Sequence, residues 1–77
     1  MTLKIISAED ILFEGEVTLV ALPGVMGQFT VLHNHATLIS ALTAGNIEYV
    51  TDGQRESLPI SGGLVSVDNN VISVCIY

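Results

Sequence analysis

The chain has 77 residues, 8 acidic against 2 basic side chains and a formal charge of −6. That balance leaves no basic patch and so excludes nucleic acid or an anionic membrane surface as a partner. An apolar fraction of 49% with 13% charged residues excludes a disordered chain, and the length holds it to a single domain, residues 1–77, that buries only about 60% of its unfolded surface.

Short apolar segments recur every eight to twelve residues with turn residues between them, the pattern of an all-β sandwich or barrel. In chain order the predicted strands are 3–7, 11–13, 17–22, 29–32, 36–43, 47–51, 55–60, 64–67 and 71–76. Pro23-Gly24 is read as a structural turn closing the third strand, and Gly45 as the one ending the fifth. Asp52-Gly53 is the strongest hairpin signal, and Asp68-Asn69-Asn70 marks a second hairpin. Segment 36–43 also fits a helical stripe through Leu38, Ala41 and Leu42. Two strands are apolar on both sides: 17–22, and 71–76, where Ile72, Val74 and Ile76 face away from Val71 and Cys75. Such strands either lie inside a closed structure or turn one face to a partner. Val65 is placed on the inward face.

Mean hydropathy is +0.62, yet no direct membrane insertion follows. The charge-free stretch 17–47 is broken by Pro23, Gly24, Gly27, Gln28, His33, Asn34 and His35, and a span needs about 20 apolar residues in a row. Met1-Thr2-Leu3-Lys4 has neither the basic leader nor the long apolar core of a signal peptide. The lone Cys75 excludes a disulfide framework and reads as a buried, inert thiol in a reducing compartment. A small domain with more apolar surface than it can hide suits a protein that lives docked to another.

Candidate chemistry is sparse. His33 and His35, two apart on a strand, share a face and are candidate metal ligands. The competing reading is a polar turn entering the next strand. Ser61-Gly62-Gly63 lacks the flanking glycine and following helix of a nucleophile turn. Gly24 and Gly27 are not followed by the lysine and helix of a phosphate loop. Their glycines, with Gly62 and Gly63, are read as structural turns or close backbone approaches. Glu14 and Glu16 bracket Gly15 and are expected as solvated edge charges. No catalytic residue, cofactor or small-molecule substrate is indicated.

The block Leu22-Pro23-Gly24-Val25-Met26-Gly27-Gln28-Phe29-Thr30-Val31-Leu32-His33-Asn34-His35-Ala36-Thr37-Leu38 resembles the signature of the epsilon subunit of F-type ATP synthases. The likeness extends to Phe13-Glu14-Gly15-Glu16-Val17 before it, and to Ala44-Gly45 and Ser61-Gly62-Gly63-Leu64-Val65-Ser66-Val67 after it. The resemblance implies a flattened ten-stranded β-sandwich. It implies a non-catalytic central-stalk subunit, at the cytoplasmic face of an energy-transducing membrane, that docks on the gamma subunit and the c ring and couples proton flow to ATP synthesis. By position, Met26, Gly27 and Gln28 would face the c ring, and Ser7 and His35 the gamma subunit.

The chain departs from the family at Thr30, a family glycine, and at His33 and Thr37, family prolines. Gln28 stands where many relatives carry an acid. These changes imply a partner-facing loop of altered shape and charge. The chain also ends at Ile76-Tyr77, ahead of the helical hairpin that restrains hydrolysis in most relatives. That implies a subunit without the hairpin, and the sequence fits equally a naturally short chain and a trimmed one. The alternatives are a small metal-binding β-barrel enzyme using His33 and His35, and a free-standing module that pairs with itself.

Overall fold

Two-residue turns organise the fold, and their backbone angles explain where they fall. Asp52 (φ 51°) and Gly53 (φ 75°), and Asn69 (φ 51°) with Asn70 (φ 62°), both occupy the left-handed region. That is the geometry of tight hairpin turns whose twist matches the strands they join. The computed structural model describes residues 1–34 and 36–77; the reading of His35 as a ligand or interface residue lies outside the described residues. Among the described residues there is no helix and there are nine strands, which matches the nine segments of the sequence pattern and is close to the ten of the family resemblance. They are β1 (Thr2–Ile6), β2 (Ile11–Glu16), β3 (Leu19–Gly24), β4 (Gly27–Val31), β5 (Leu38–Leu42), β6 (Gly45–Thr51), β7 (Gln54–Ile60), β8 (Gly63–Asp68) and β9 (Val71–Ile76).

The strands form one curled sheet in the order β2-β1-β9-β8-β5-β3-β6-β7, with β4 branching from β3. Nearly every pairing is antiparallel; β1 and β9 run parallel, Leu3 opposite Ile72 and Ile5 opposite Val74. The curl brings β2 back to β6. There the Phe13 and Tyr49 rings lie 4.4 Å apart, the Thr18 amide donates to the Val50 carbonyl, and the Thr51 hydroxyl donates to the Glu16 carbonyl. Burial and the Glu56 carboxylate opposite it push the Tyr49 phenol pKa up. The core holds Leu3, Ile5, Val65, Val67, Ile72 and Val74 from the β1-β9-β8 side and Val20, Leu22, Val31 and Ile47 from the other.

Several expectations shift by a few residues for physical reasons. The third strand runs on through Pro23 and Gly24, and the turn is Val25-Met26. Proline is tolerated because its missing N–H lies where β5 needs only an acceptor: the Thr43 amide donates to the Pro23 carbonyl. Gly24 is a close-approach glycine and not a turn residue. It pairs with both Gly27 and Leu42, and a Cβ there would lie 2.7 Å from the Gly27 carbonyl oxygen. Gly45 opens β6, while Gly62 lies between the Ser61 bend and β8, against the Tyr77 ring. The ambiguous segment is strand: β5 pairs residue by residue with β8, Leu38 opposite Val67 to Leu42 opposite Gly63.

Gly63 opens β8, opposite Ile76, and its α-hydrogen faces the β9 backbone. A Cβ there would strike the Cys75 carbonyl oxygen and sit 3.0 Å from the Ile76 Cα. Neither is a side chain that can swing away. Gly63→Ala is therefore expected to cost about 1–3 kcal/mol, a fall in Tm of roughly 5–20 °C for a domain of this size. A thermal melt unchanged within 2 °C, on the order of measurement error against that scale, refutes this close contact.

Candidate docking surface

The outer face of the β2-β1-β9-β8-β5 half carries a row of apolar side chains set by register. Ile11 lies opposite Ile6, Ile6 opposite Cys75, Cys75 opposite Leu64, and Leu64 opposite Ala41. At about 4.8 Å per strand the row is roughly 19 Å long. Ile39, 78% exposed, stands two residues from Ala41 along β5, on the same face. At the β5 end the row meets the β3–β4 turn, where the Val25 amide donates to the Ala41 carbonyl. Met26, at the tip, is 96% exposed. Among the described residues, six of the nine exposed large apolar side chains thus fall in one band: Ile11, Val25, Met26, Ile39, Leu64 and the flanking Leu12.

The two strands that are apolar on both sides differ in burial. In β3, Val20, Ala21 and Leu22 are all buried, so that strand is interior. In β9, Ile72 and Val74 are buried while Val71, Ser73 and Cys75 are exposed. Cys75 is consequently a surface thiol and not the buried one expected. Strand alternation puts it outward because its neighbours Val74 and Ile76 point in. The row itself is absent from the sequence reading, which named no outward residue of β1, β5 or β8. The only available signal was the two-faced composition of β9.

Of the expected contact residues, Ser7, Met26, Gly27 and Gln28 fall at one end of the strands, and His35 lies outside the described residues. Ser7 follows directly on Ile6, and its amide donates to the Asp10 carbonyl at 2.9 Å while its hydroxyl accepts the Asp10 amide at 3.3 Å. Met26 occupies the β3–β4 turn, and Gly27 and Gln28 begin β4. Asn34 lies at the opposite end. Its amide donates to the Asn70 side-chain oxygen at 2.7 Å, and the Asn70 side chain donates back to its own at 3.0 Å. This amide pair ties the loop after β4 to the β8–β9 turn, and Thr37 adds a hydroxyl bond to Asp68 at 3.2 Å. His33 is exposed in this loop. Among the described residues no three His, Cys, Asp or Glu side chains converge as metal ligands.

Glu14 and Glu16 lie exposed on β2, the edge strand, as expected. The Thr2 hydroxyl donates to Glu16 at 2.9 Å and the Met1 ammonium lies 3.3 Å away, and together they hold the Glu16 carboxyl below its usual range. A lowered carboxyl pKa adds stability above the ordinary carboxylate range and loses it as pH falls through the lowered value. At this exposed site, solvent screening keeps the contribution small.

The sequence pattern described as ATP synthase, Delta/Epsilon chain, beta-sandwich domain matches residues 1–76. The chain belongs to that family. The ATP synthase epsilon chain of Desulfitobacterium hafniense is 38% identical over 73 residues, covering 95% of this chain and 55% of the relative. The epsilon chain of Nitratiruptor is 42% identical over 71 residues, covering 91% and 55%. That of Helicobacter pylori is 36% identical over 74 residues, covering 96% and 60%. This chain thus spans a little over half the length of these epsilon chains.

The fold is shared more widely. A chain in the Euglena gracilis mitochondrial ATP synthase structure of OSCP, F1 and c-ring superimposes with a TM-score of 0.88 at 22% identity, covering 96% of this chain and 48% of that one. A chain in the Tetrahymena thermophila central stalk and c-ring structure gives 0.80 at 11% identity, covering 97% and 61%. The family β-sandwich is therefore preserved where little of the sequence is.

Proposed function

We propose that this epsilon-type domain is a non-catalytic rotor element of a proton-translocating ATP synthase. It docks on the gamma subunit and rests on the c ring at the cytoplasmic face of the energy-transducing membrane, and so couples proton flow to ATP synthesis. The observation that carries the reading is the apolar row from Ile11 to Ala41, continuous with the exposed Val25-Met26 turn. A patch of this kind on a small domain marks a protein interface. Ser7, beside the Ile6–Ile11 end of the row, and His35 are assigned to the gamma subunit. Met26, Gly27 and Gln28, at the other end, are assigned to the c ring.

Two structural neighbours support this placement, one drawn from an assembly of F1 with a c-ring and the other from a central stalk with a c-ring. The domain acts as a coupling piece. It contributes a rigid, desolvating surface, and torque passes through packed side chains instead of a bond-making step.

Co-expression with the gamma subunit of the same source, followed by size exclusion, tests the reading. A stable one-to-one complex is expected. Separate elution at micromolar concentration and moderate salt overturns it.

A further inference from the structure

Among the described residues β2, β7 and β4 each pair on one side only, and the first two are closed to further pairing. β2 carries Glu14 and Glu16 and a register irregularity opposite Ile5 and Ile6. β7 carries Arg55, Glu56 and Pro59. Charge, bulges and proline are the means by which natural sheets prevent an extra strand from joining. β4 has none of them. It reads Gly-Gln-Phe-Thr-Val, bears no charge, and keeps unbroken register with β3 over five residues.

The ladder to β3 determines which backbone groups of β4 are spare. The two-residue turn makes Gly24 and Gly27 a hydrogen-bonded pair, so bonded pairs alternate along the ladder and recur at Leu22–Phe29 and Val20–Val31. The N–H and C=O groups of Gln28 and Thr30 therefore point away from β3. No strand among the described residues pairs with that side, and both residues are exposed.

We propose that the open edge of β4 is a strand-addition site, which takes an extended, positively charged segment of the gamma subunit along the backbone of Gln28–Thr30 and leaves the Gln28 side chain to the c ring. The proposal rests on the docking reading above and names how the partner is held. Charge selects the occupant: each copy of this chain carries −6, which opposes edge-to-edge pairing of two copies and attracts a basic segment. Position agrees with it. β4 starts at the Val25-Met26 turn where the apolar row ends, so a partner seated on the row meets the edge without a gap. Affinity comes from the backbone bonds of the added strand.

The test is amide exchange of Gln28 and Thr30 in this chain alone and bound to the gamma subunit, together with titration of the variants Thr30→Pro and Thr30→Val. Proline at position 30 removes an outward donor and leaves the Phe29 and Val31 bonds to β3 in place. Binding of Thr30→Pro is expected to fall about tenfold, the effect of losing one or two hydrogen bonds, with its thermal melt near that of the parent. Thr30→Val, which keeps the N–H, binds as the parent does. In the parent complex both amides slow by more than about tenfold.

If the parent complex forms and both amides exchange as fast as in the free chain, strand addition is wrong while docking stands, whatever the variants do. If no complex forms, the docking reading fails and takes this proposal with it. Protection that grows with the concentration of the chain alone assigns the edge to a second copy and overturns the partner assignment. Protection seen without partner in a version extended beyond Tyr77 assigns it to the chain's own continuation and overturns it likewise.

Discussion

Val65→Asp is expected to unfold the domain at 25 °C. Val65 has no exposed surface and sits mid-strand in β8, between Ser40 on β5 and Val74 on β9. The substitution gives up about 1.5–3 kcal/mol of apolar burial. It also leaves a carboxyl with no basic partner on either neighbouring strand, at a cost of several kcal/mol more. Against this, a chain of 77 residues holds roughly 4–12 kcal/mol in total. Loss of the near-ultraviolet signal and of the cooperative melt is the expected readout. A folded, cooperatively melting variant places the inward face of β8 on the wrong side.

The neighbouring residue is expected to behave in the opposite way. Leu64 points outward at 55% exposure, in the centre of the apolar row. Leu64→Asp keeps its carboxylate in solvent in the isolated domain, so its melt shifts by no more than about 1 kcal/mol equivalent. In the proposed complex the same carboxylate is desolvated beside apolar strands, which costs about 2–5 kcal/mol, or roughly 30- to several-thousand-fold in Kd for the gamma subunit. Titration calorimetry reads the affinity and a thermal melt reads the fold. Equal affinity of parent and variant removes Leu64 from the interface. A collapsed melt removes it from the surface altogether.

These two residues also show where docking and folding part company in so small a protein. Along β8 the alternation assigns Gly63, Val65 and Val67 to the interior and Leu64, Ser66 and Asp68 to the outside. The inside set decides whether the chain folds. The outside set differs along its length, apolar at Leu64 and charged at Asp68. The polar end is occupied by internal ties, the Asn34–Asn70 amide pair and Thr37–Asp68.

Those ties bear on the departures that the family resemblance implies. Where it implies proline, the Thr37 hydroxyl bonds to Asp68, a contact proline is unable to make. The loop is thus anchored by a hydrogen bond instead of by a fixed φ. The glycine that the resemblance implies at position 30 has a different consequence. A glycine there would weaken the strand, whereas threonine suits an edge strand with one wet face.

Much of this protein is determined by local sequence alone. The nine apolar segments, the Asp52-Gly53 and Asn69-Asn70 hairpins and the inward face of β8 follow from period-two alternation and turn chemistry, and these depend only on near neighbours in the chain. The family, too, is carried by motifs read in order along the sequence. What the sequence left open was decided by contacts between distant segments. The parallel pairing of β1 with β9 joins strands some seventy residues apart, and no hairpin signal encodes it. Segment 36–43 became strand because β8 supplies hydrogen-bond partners for it, which overrides its helical stripe. Pro23-Gly24 stayed extended because β5 and β4 meet there. The apolar row exists only in the register of five strands. Each contributes one side chain that is unremarkable within its own segment, so the surface emerges only when the sheet is assembled.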